Sequence, residues 1–77
     1  MYYAFNFTDA NILDKFTMDN IDIISIVGFD TLERLENFLD VNYSYIGIYD
    51  HKEKYPVPVD FNTKEEAQLE LIKCLNK

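Results

Sequence analysis

Apolar and polar residues alternate from the second position onward. Tyr3, Phe5 and Phe7 fall on one side of an extended chain, and Tyr2, Ala4 and Asn6 on the other. A period of two predicts a strand over Tyr2–Phe7. The β-branched run Ile21–Val27 predicts a second strand, buried on both sides except at Asp22 and Ser25, with Gly28 allowing a tight exit. The polar stretch between them, 8–20, has room for a short helical turn over Asp9–Phe16, capped by Asp9 and turning Ile12, Leu13 and Phe16 inward. The period then changes. Leu32, Leu35, Phe38 and Leu39 recur at helical spacing, which predicts a helix from about Thr31 to Leu39. Asp30-Thr31-Leu32-Glu33 reads as an Asp variant of the capping box, with Asp30 as the cap and Glu33 reaching back.

Alternation returns over Tyr43–Tyr49. Ser44, Ile46 and Ile48 lie on one face, and Tyr43, Tyr45, Gly47 and Tyr49 on the other. A charged hairpin loop, Asp50-His51-Lys52-Glu53-Lys54, leads to a strand over Tyr55–Val59. Pro56 and Pro58 are two residues apart, so their missing N–H groups lie on one edge, and that edge must be open. Such prolines also discourage edge-to-edge aggregation. Asn62 or Thr63 begins a last helix, with Glu65 or Glu66 completing the cap, that buries Ala67, Leu71, Ile72, Cys74 and Leu75.

Two segments echo each other at a spacing of 32: Val27-Gly28-Phe29-Asp30-Thr31-Leu32-Glu33 and Val59-Asp60-Phe61-Asn62-Thr63-Lys64-Glu65. Each ends a strand, places a Phe at the corner and caps the helix that follows. The expected fold is α+β, a single compact domain over 1–77. It is a four-stranded, mainly antiparallel sheet with two helices on one face, in the order β-β-α-β-β-α as two ββα units.

Composition narrows the classes. The 77 residues are 48% apolar, too many for a disordered acidic tail, and no apolar run approaches the ~18–20 residues of a membrane span. The start, Met1-Tyr2-Tyr3-Ala4-Phe5, lacks the basic region of a secretory signal. The single cysteine, Cys74, cannot make an internal disulfide and suits a reducing compartment, so a cytoplasmic location is expected. It reads as a small core residue. The net charge is -7, and it is uneven. Residues 1–40 carry eight carboxylates against two cations; residues 41–77 carry six against five.

The sequence holds no catalytic signature. His51, the only histidine, sits in a charged turn, and no G-x-S-x-G, H-E-x-x-H, Walker A or C-x-x-C pattern is present. Two glycines cannot build a Gly-rich phosphate cradle. A ligand pocket of ~300 Å³ or more is hard to carve from so small a core. Asp14, Asp19, Asn20 and Asp22 offer oxygen ligands close in sequence, but they do not match an EF-hand loop. The expectation is therefore no enzyme activity, no cofactor and no metal. Tyr43, Tyr45 and Tyr49 resemble a base-stacking platform, yet a net charge of -7 repels nucleic acid.

Protein binding remains. Glu33, Glu36 and Asp40 lie beside and opposite the apolar stripe of the first helix, and Asp9, Asp14 and Asp19 stand in the preceding connection. Together they would form one negative surface suited to a basic groove evolved for phosphates. Tyr43, Tyr45 and Tyr49 suit an interface because each combines area with a polar tip. Ile, Asn, Lys, Tyr and Phe make up 33 of the 77 residues, and their AT-rich codons fit a low-GC bacterium, its phages or its plasmids. In size, charge and pattern the whole chain resembles the small acidic anti-defence inhibitors of phages and mobile elements, anti-CRISPR proteins among them. That resemblance implies an inhibitor, acting in the host cytoplasm, that occupies the nucleic-acid or partner site of a host defence protein such as a CRISPR effector. The alternative is a non-catalytic adaptor or homodimerisation module that uses the Tyr-rich sheet face.

Overall fold

The computed structural model describes residues 1–8, 15–50 and 52–76. The expected helical turn at Asp9–Phe16 falls largely on 9–14 and lies outside the described residues. The elements run β1 (Tyr2–Thr8), β2 (Asp22–Phe29), α1 (Leu32–Val41), β3 (Ile46–Gly47), β4 (Tyr49–Asp50), β5 (Val57–Pro58) and α2 (Lys64–Leu75). The protein is α+β, with two helices and antiparallel strands.

The single four-stranded sheet does not form. The strands make a three-stranded sheet in the order β2-β1-β3 and a two-stranded one, β4-β5. The cause lies in the segment expected as one strand over Tyr43–Tyr49. Asn42 caps α1, donating its N–H to the Phe38 carbonyl at 3.0 Å, and its own carbonyl accepts from Tyr45 N–H at 3.0 Å. Residues 42–45 are therefore spent on a turn, and pairing starts only at Ile46. Ala4 and Phe5 then pair with Gly47 and Ile46. At Ile48 the carbonyl accepts from Val59 N–H instead (3.1 Å), and Tyr49 and Asp50 pair with Pro58 and Val57. One extended segment thus serves two sheets in turn.

The strand expected over Tyr55–Val59 is reduced to Val57–Pro58, but its prolines face the side that the sequence predicts. Val59 N–H points toward Ile48, so the nitrogens of Pro58 and Pro56, one and three residues earlier, lie on the side away from β4. Gly28 differs from expectation: it lies inside β2 opposite Tyr3 rather than at a tight exit, and neither glycine has positive φ.

Both caps are threonines. Thr31 Oγ1 accepts from Arg34 N–H at 3.3 Å, and Thr63 Oγ1 accepts from Glu66 N–H at 3.2 Å, each from an extended backbone. Asp30 is not the cap of α1; its carboxylate reaches Arg34 at 3.5 Å. Of the 32-residue echo the structure keeps the caps, Thr31 and Thr63, each one residue later than expected for Asp30 and Asn62, but not the strand ends: β2 runs through Phe29, whereas β5 stops at Pro58.

The helices do not share a face. Phe5, Ile48, Ala67 and Leu71 form one buried cluster, with Tyr3, Phe7 and Ile26 packed against it, so α2 covers the Tyr3/Phe5/Phe7 face. Ala4 and Gly47 occupy the opposite face by alternation. A Cβ at Gly47 would lie 3.2 Å from Leu39 Cδ1 and 3.7 Å from Leu35 Cδ2, which puts α1 over it. Phe29, on the same side as Ala4, meets Phe38 of α1 with ring centroids 5.1 Å apart. The expected pair of ββα units with both helices on one side is therefore replaced by a sheet covered on both sides.

Candidate functional site

The α1 helix sorts its own side chains. Leu35 is buried and Leu32, Phe38 and Leu39 are half-buried, which fixes one side of the cylinder against the sheet. Glu33, Glu36 and Asp40 stand at spacings of three and four, so they form one row on the exposed side. Asp30 and Arg34 pair with each other one turn earlier. Among the described residues no cation lies within ion-pair distance of Glu33, Glu36 or Asp40.

Tyr49 is brought to the same place. Its ring lies against Gly47, where an added Cβ would come within 3.3 Å of Tyr49 Cε2. Burial pushes its phenol above the usual tyrosine value, and the carboxylates of Glu36 and Asp40 push it further the same way. Glu36, Asp40 and Tyr49 thus share one electrostatic neighbourhood, although Tyr49 comes from β4. A residue with a side chain at position 47 would contest that space.

Tyr45 and Tyr43 have separate roles. Tyr45 stands edge-on to Phe38 at 4.8 Å and 80°, and Phe38 in turn meets Phe29. This aromatic row fastens the end of α1 to β2. Tyr43 is 89% exposed in the turn after the helix, beside exposed Val41. The three tyrosines therefore do not form a flat strand face. They are spread around the C-terminal half of α1.

Asp19 is placed elsewhere. Its turn is held by Asn20, whose side chain accepts from Thr17 N–H (2.7 Å) and donates to the Lys15 carbonyl (2.8 Å). Next to it, Asn76 at the end of α2 accepts from Phe16 N–H and donates to the Phe16 carbonyl, both at 2.7 Å. The turn is tied to α2, across the sheet from α1, and Asp19 does not join the acidic row. Asp14 lies outside the described residues. Asn20 is occupied as a loop clasp, and among the described residues no three His, Cys, Asp or Glu side chains gather closely enough to hold a metal ion.

The sequence argues against a pocket of ~300 Å³ or more, but a cleft of ≈ 530 Å³ is present between the β4–β5 hairpin and the end of α2. Asp50, Lys52, Glu70 and Lys73 border it, over Val59, Phe61 and Cys74. Two acids and two lysines leave it balanced in charge. The change of sheet at Ile48, which sets β4–β5 apart from β1, is not revealed by hydropathy patterning. Among the described residues no helix is long and apolar enough to cross a membrane. No family model, curated protein or solved structure matches this chain.

Proposed function

We propose that the protein is a non-enzymatic, acidic inhibitor that binds a basic nucleic-acid-binding groove of a host defence protein, such as a CRISPR effector, in the cytoplasm of the host cell. The supporting observation is the row of Glu33, Glu36 and Asp40 on the exposed side of α1, which has no ion-pair partner among the described residues. Seven residues of helix rise about 10 Å, so three carboxylates follow one another about every 5 Å. Phosphates along one DNA strand follow every ~3.4 Å, so the row offers a similar line of charge at somewhat lower density. Tyr49 lies in the field of Glu36 and Asp40, and exposed Tyr43 follows in the turn after α1; both add surface suited to a protein rather than to a sugar-phosphate chain.

A second reading, an adaptor that binds through Tyr43 and its neighbours, is favoured by the exposure of both Tyr43 and Val41, two residues apart in the chain. One experiment separates the two. The protein is used to capture its partner from host lysate, and the identified partner is then titrated with the variant Glu33→Lys/Glu36→Lys/Asp40→Lys. The three positions are exposed, so circular dichroism should report an unchanged fold. Binding should fall by at least about 100-fold, and wild-type binding should weaken as salt rises. Wild-type affinity in the triple variant, with loss in Tyr43→Ala, would replace the inhibitor reading with the adaptor.

A further inference from the structure

The cleft between the β4–β5 hairpin and α2 combines an apolar floor with charges of both signs. Val59, Phe61 and Cys74 make the floor; all three are half-buried and pack against the cluster of Phe5, Ile48, Ala67 and Leu71. The floor is thus the open side of the main core. Phe61 N–H donates to the Met1 carbonyl at 2.9 Å, which holds that corner in place. Two half-buried carboxylates come from opposite walls, Asp50 from the hairpin and Glu70 from α2. Asp50 Oδ1 accepts from Lys52 N–H at 2.9 Å, so its carboxylate is oriented by its own turn. Lys52 and Lys73, again one from each wall, are exposed at the rim.

These charges do not neutralise one another. Among the described residues no lysine nitrogen lies within ion-pair distance of Asp50 or Glu70, not even that of Lys73, three residues from Glu70 on the same side of α2. Pairs so open to water would add little stability in any case, so a ligand's charges compete with them easily.

We infer that the cleft binds a small zwitterion with an apolar side chain, an α-amino acid in chemical class. Its ammonium meets Asp50 and Glu70, its carboxylate meets Lys52 and Lys73, and its side chain lies on Val59, Phe61 and Cys74. Charge complementarity selects this occupant. A simple anion would face two carboxylates, and a simple cation two lysines. An uncharged apolar molecule would draw water from four ionised groups and give them no partner. Each wall brings one acid and one lysine close in sequence, so opposite charges adjoin, as they do around a single α-carbon. The volume agrees: ≈ 530 Å³ falls within the ~300–1,000 Å³ of small-molecule sites. The acidic row of α1 covers the other face of the sheet and takes no part.

An amide chemical-shift titration with three probes tests this: phenylalanine, its amide, which lacks the carboxylate, and hydrocinnamate, which lacks the ammonium. Slightly acidic solution keeps the ligand amines protonated and the carboxylates ionised. Phenylalanine should saturate with a dissociation constant of the order of a millimolar, shifting the amides of Asp50, Lys52, Val59, Glu70 and Cys74 most. The amide and hydrocinnamate should each bind about three- to tenfold more weakly. Glu70→Gln keeps the side chain's size and should weaken phenylalanine and its amide by about two- to fivefold while sparing hydrocinnamate. Lys73→Gln should weaken phenylalanine and hydrocinnamate while sparing the amide. A general loss of structure would move all three probes together. Absence of saturable shifts at the cleft up to the solubility limit of phenylalanine would overturn the inference. So would an amide or hydrocinnamate that binds as tightly as phenylalanine, or two variants that weaken all three probes alike.

Discussion

If α1 and α2 cover opposite faces of β1, their core residues should not feel one another. Leu35 and Leu71 are each 1% exposed and belong to different contacts: Leu35 over Gly47, Leu71 with Phe5, Ile48 and Ala67. Shortening each to Val removes one buried methylene, worth about 0.8 kcal/mol, and adds a β-branch to a helix at roughly 0.5 kcal/mol. Each single variant should lose about 1–1.5 kcal/mol. The double variant should lose the sum, about 2–3 kcal/mol, which leaves a domain of ordinary stability still folded. Sites without shared partners add within ~0.5 kcal/mol, whereas residues in one core couple by up to ~3 kcal/mol. Urea melts of the wild type, both singles and the double give the coupling directly, provided the slopes agree. A coupling of about 1 kcal/mol or more would mean that the two leucines share a core, and the two-faced sheet would be refuted.

Two further outcomes follow from local chemistry. Thr31→Ala and Thr63→Ala should each cost about 1 kcal/mol in urea unfolding, while Asp30→Ala should stay within ~0.5 kcal/mol; a larger loss for Asp30 would restore it as the cap. The Tyr49 phenol titrates higher in the folded protein than its ordinary value of 10.0, through burial and then Glu36 and Asp40. A raised folded value means stability present below the unfolded pKa and lost as pH rises through and beyond it. Tyr49→Phe should therefore flatten the fall in melting temperature between ~pH 9 and ~pH 11, and an unchanged slope would show that Tyr49 ionises freely.

Patterns carried by short-range periodicity were legible in the sequence. β1 and both helices appear close to their expected bounds, because alternation and a stripe of Leu32, Leu35, Phe38 and Leu39 report directly on which side is buried. The outward side of Pro56 and Pro58 was legible for the same reason. What failed depended on competition between neighbours. Tyr43 and Tyr45 alternate like a strand, but Asn42 needs the following residues to close α1, and the cap wins. Thr31 and Asp30 are both good caps, and the choice turns on which backbone is extended at the helix start. The face covered by each helix is a question of size. Tyr3, Phe5 and Phe7 make one side of β1 bulky, while Ala4 makes the other shallow, and alternation alone does not say which helix takes which side.

The same difference in bulk explains how a charged site arises on so small a sheet. Beneath α2 the sheet is paved with aromatic rings, which supply much of the buried area and demand a helix lined with small and branched residues, Ala67 and Leu71. Beneath α1 the paving is Phe29 at one end and Ala4 and Gly47 at the other, and Leu35 and Leu39 reach within 4 Å of where a Cβ at Gly47 would stand. With α1 settled that close, its flank comes level with β4, and Tyr49 enters the field of Glu36 and Asp40. A larger residue at position 47 would have to displace Leu39 or the Tyr49 ring, both of which lie 3.2–3.3 Å from that point. The spacing of Glu33, Glu36 and Asp40 along α1 sets the line of charge, and the missing side chain at Gly47 sets what lies beside it.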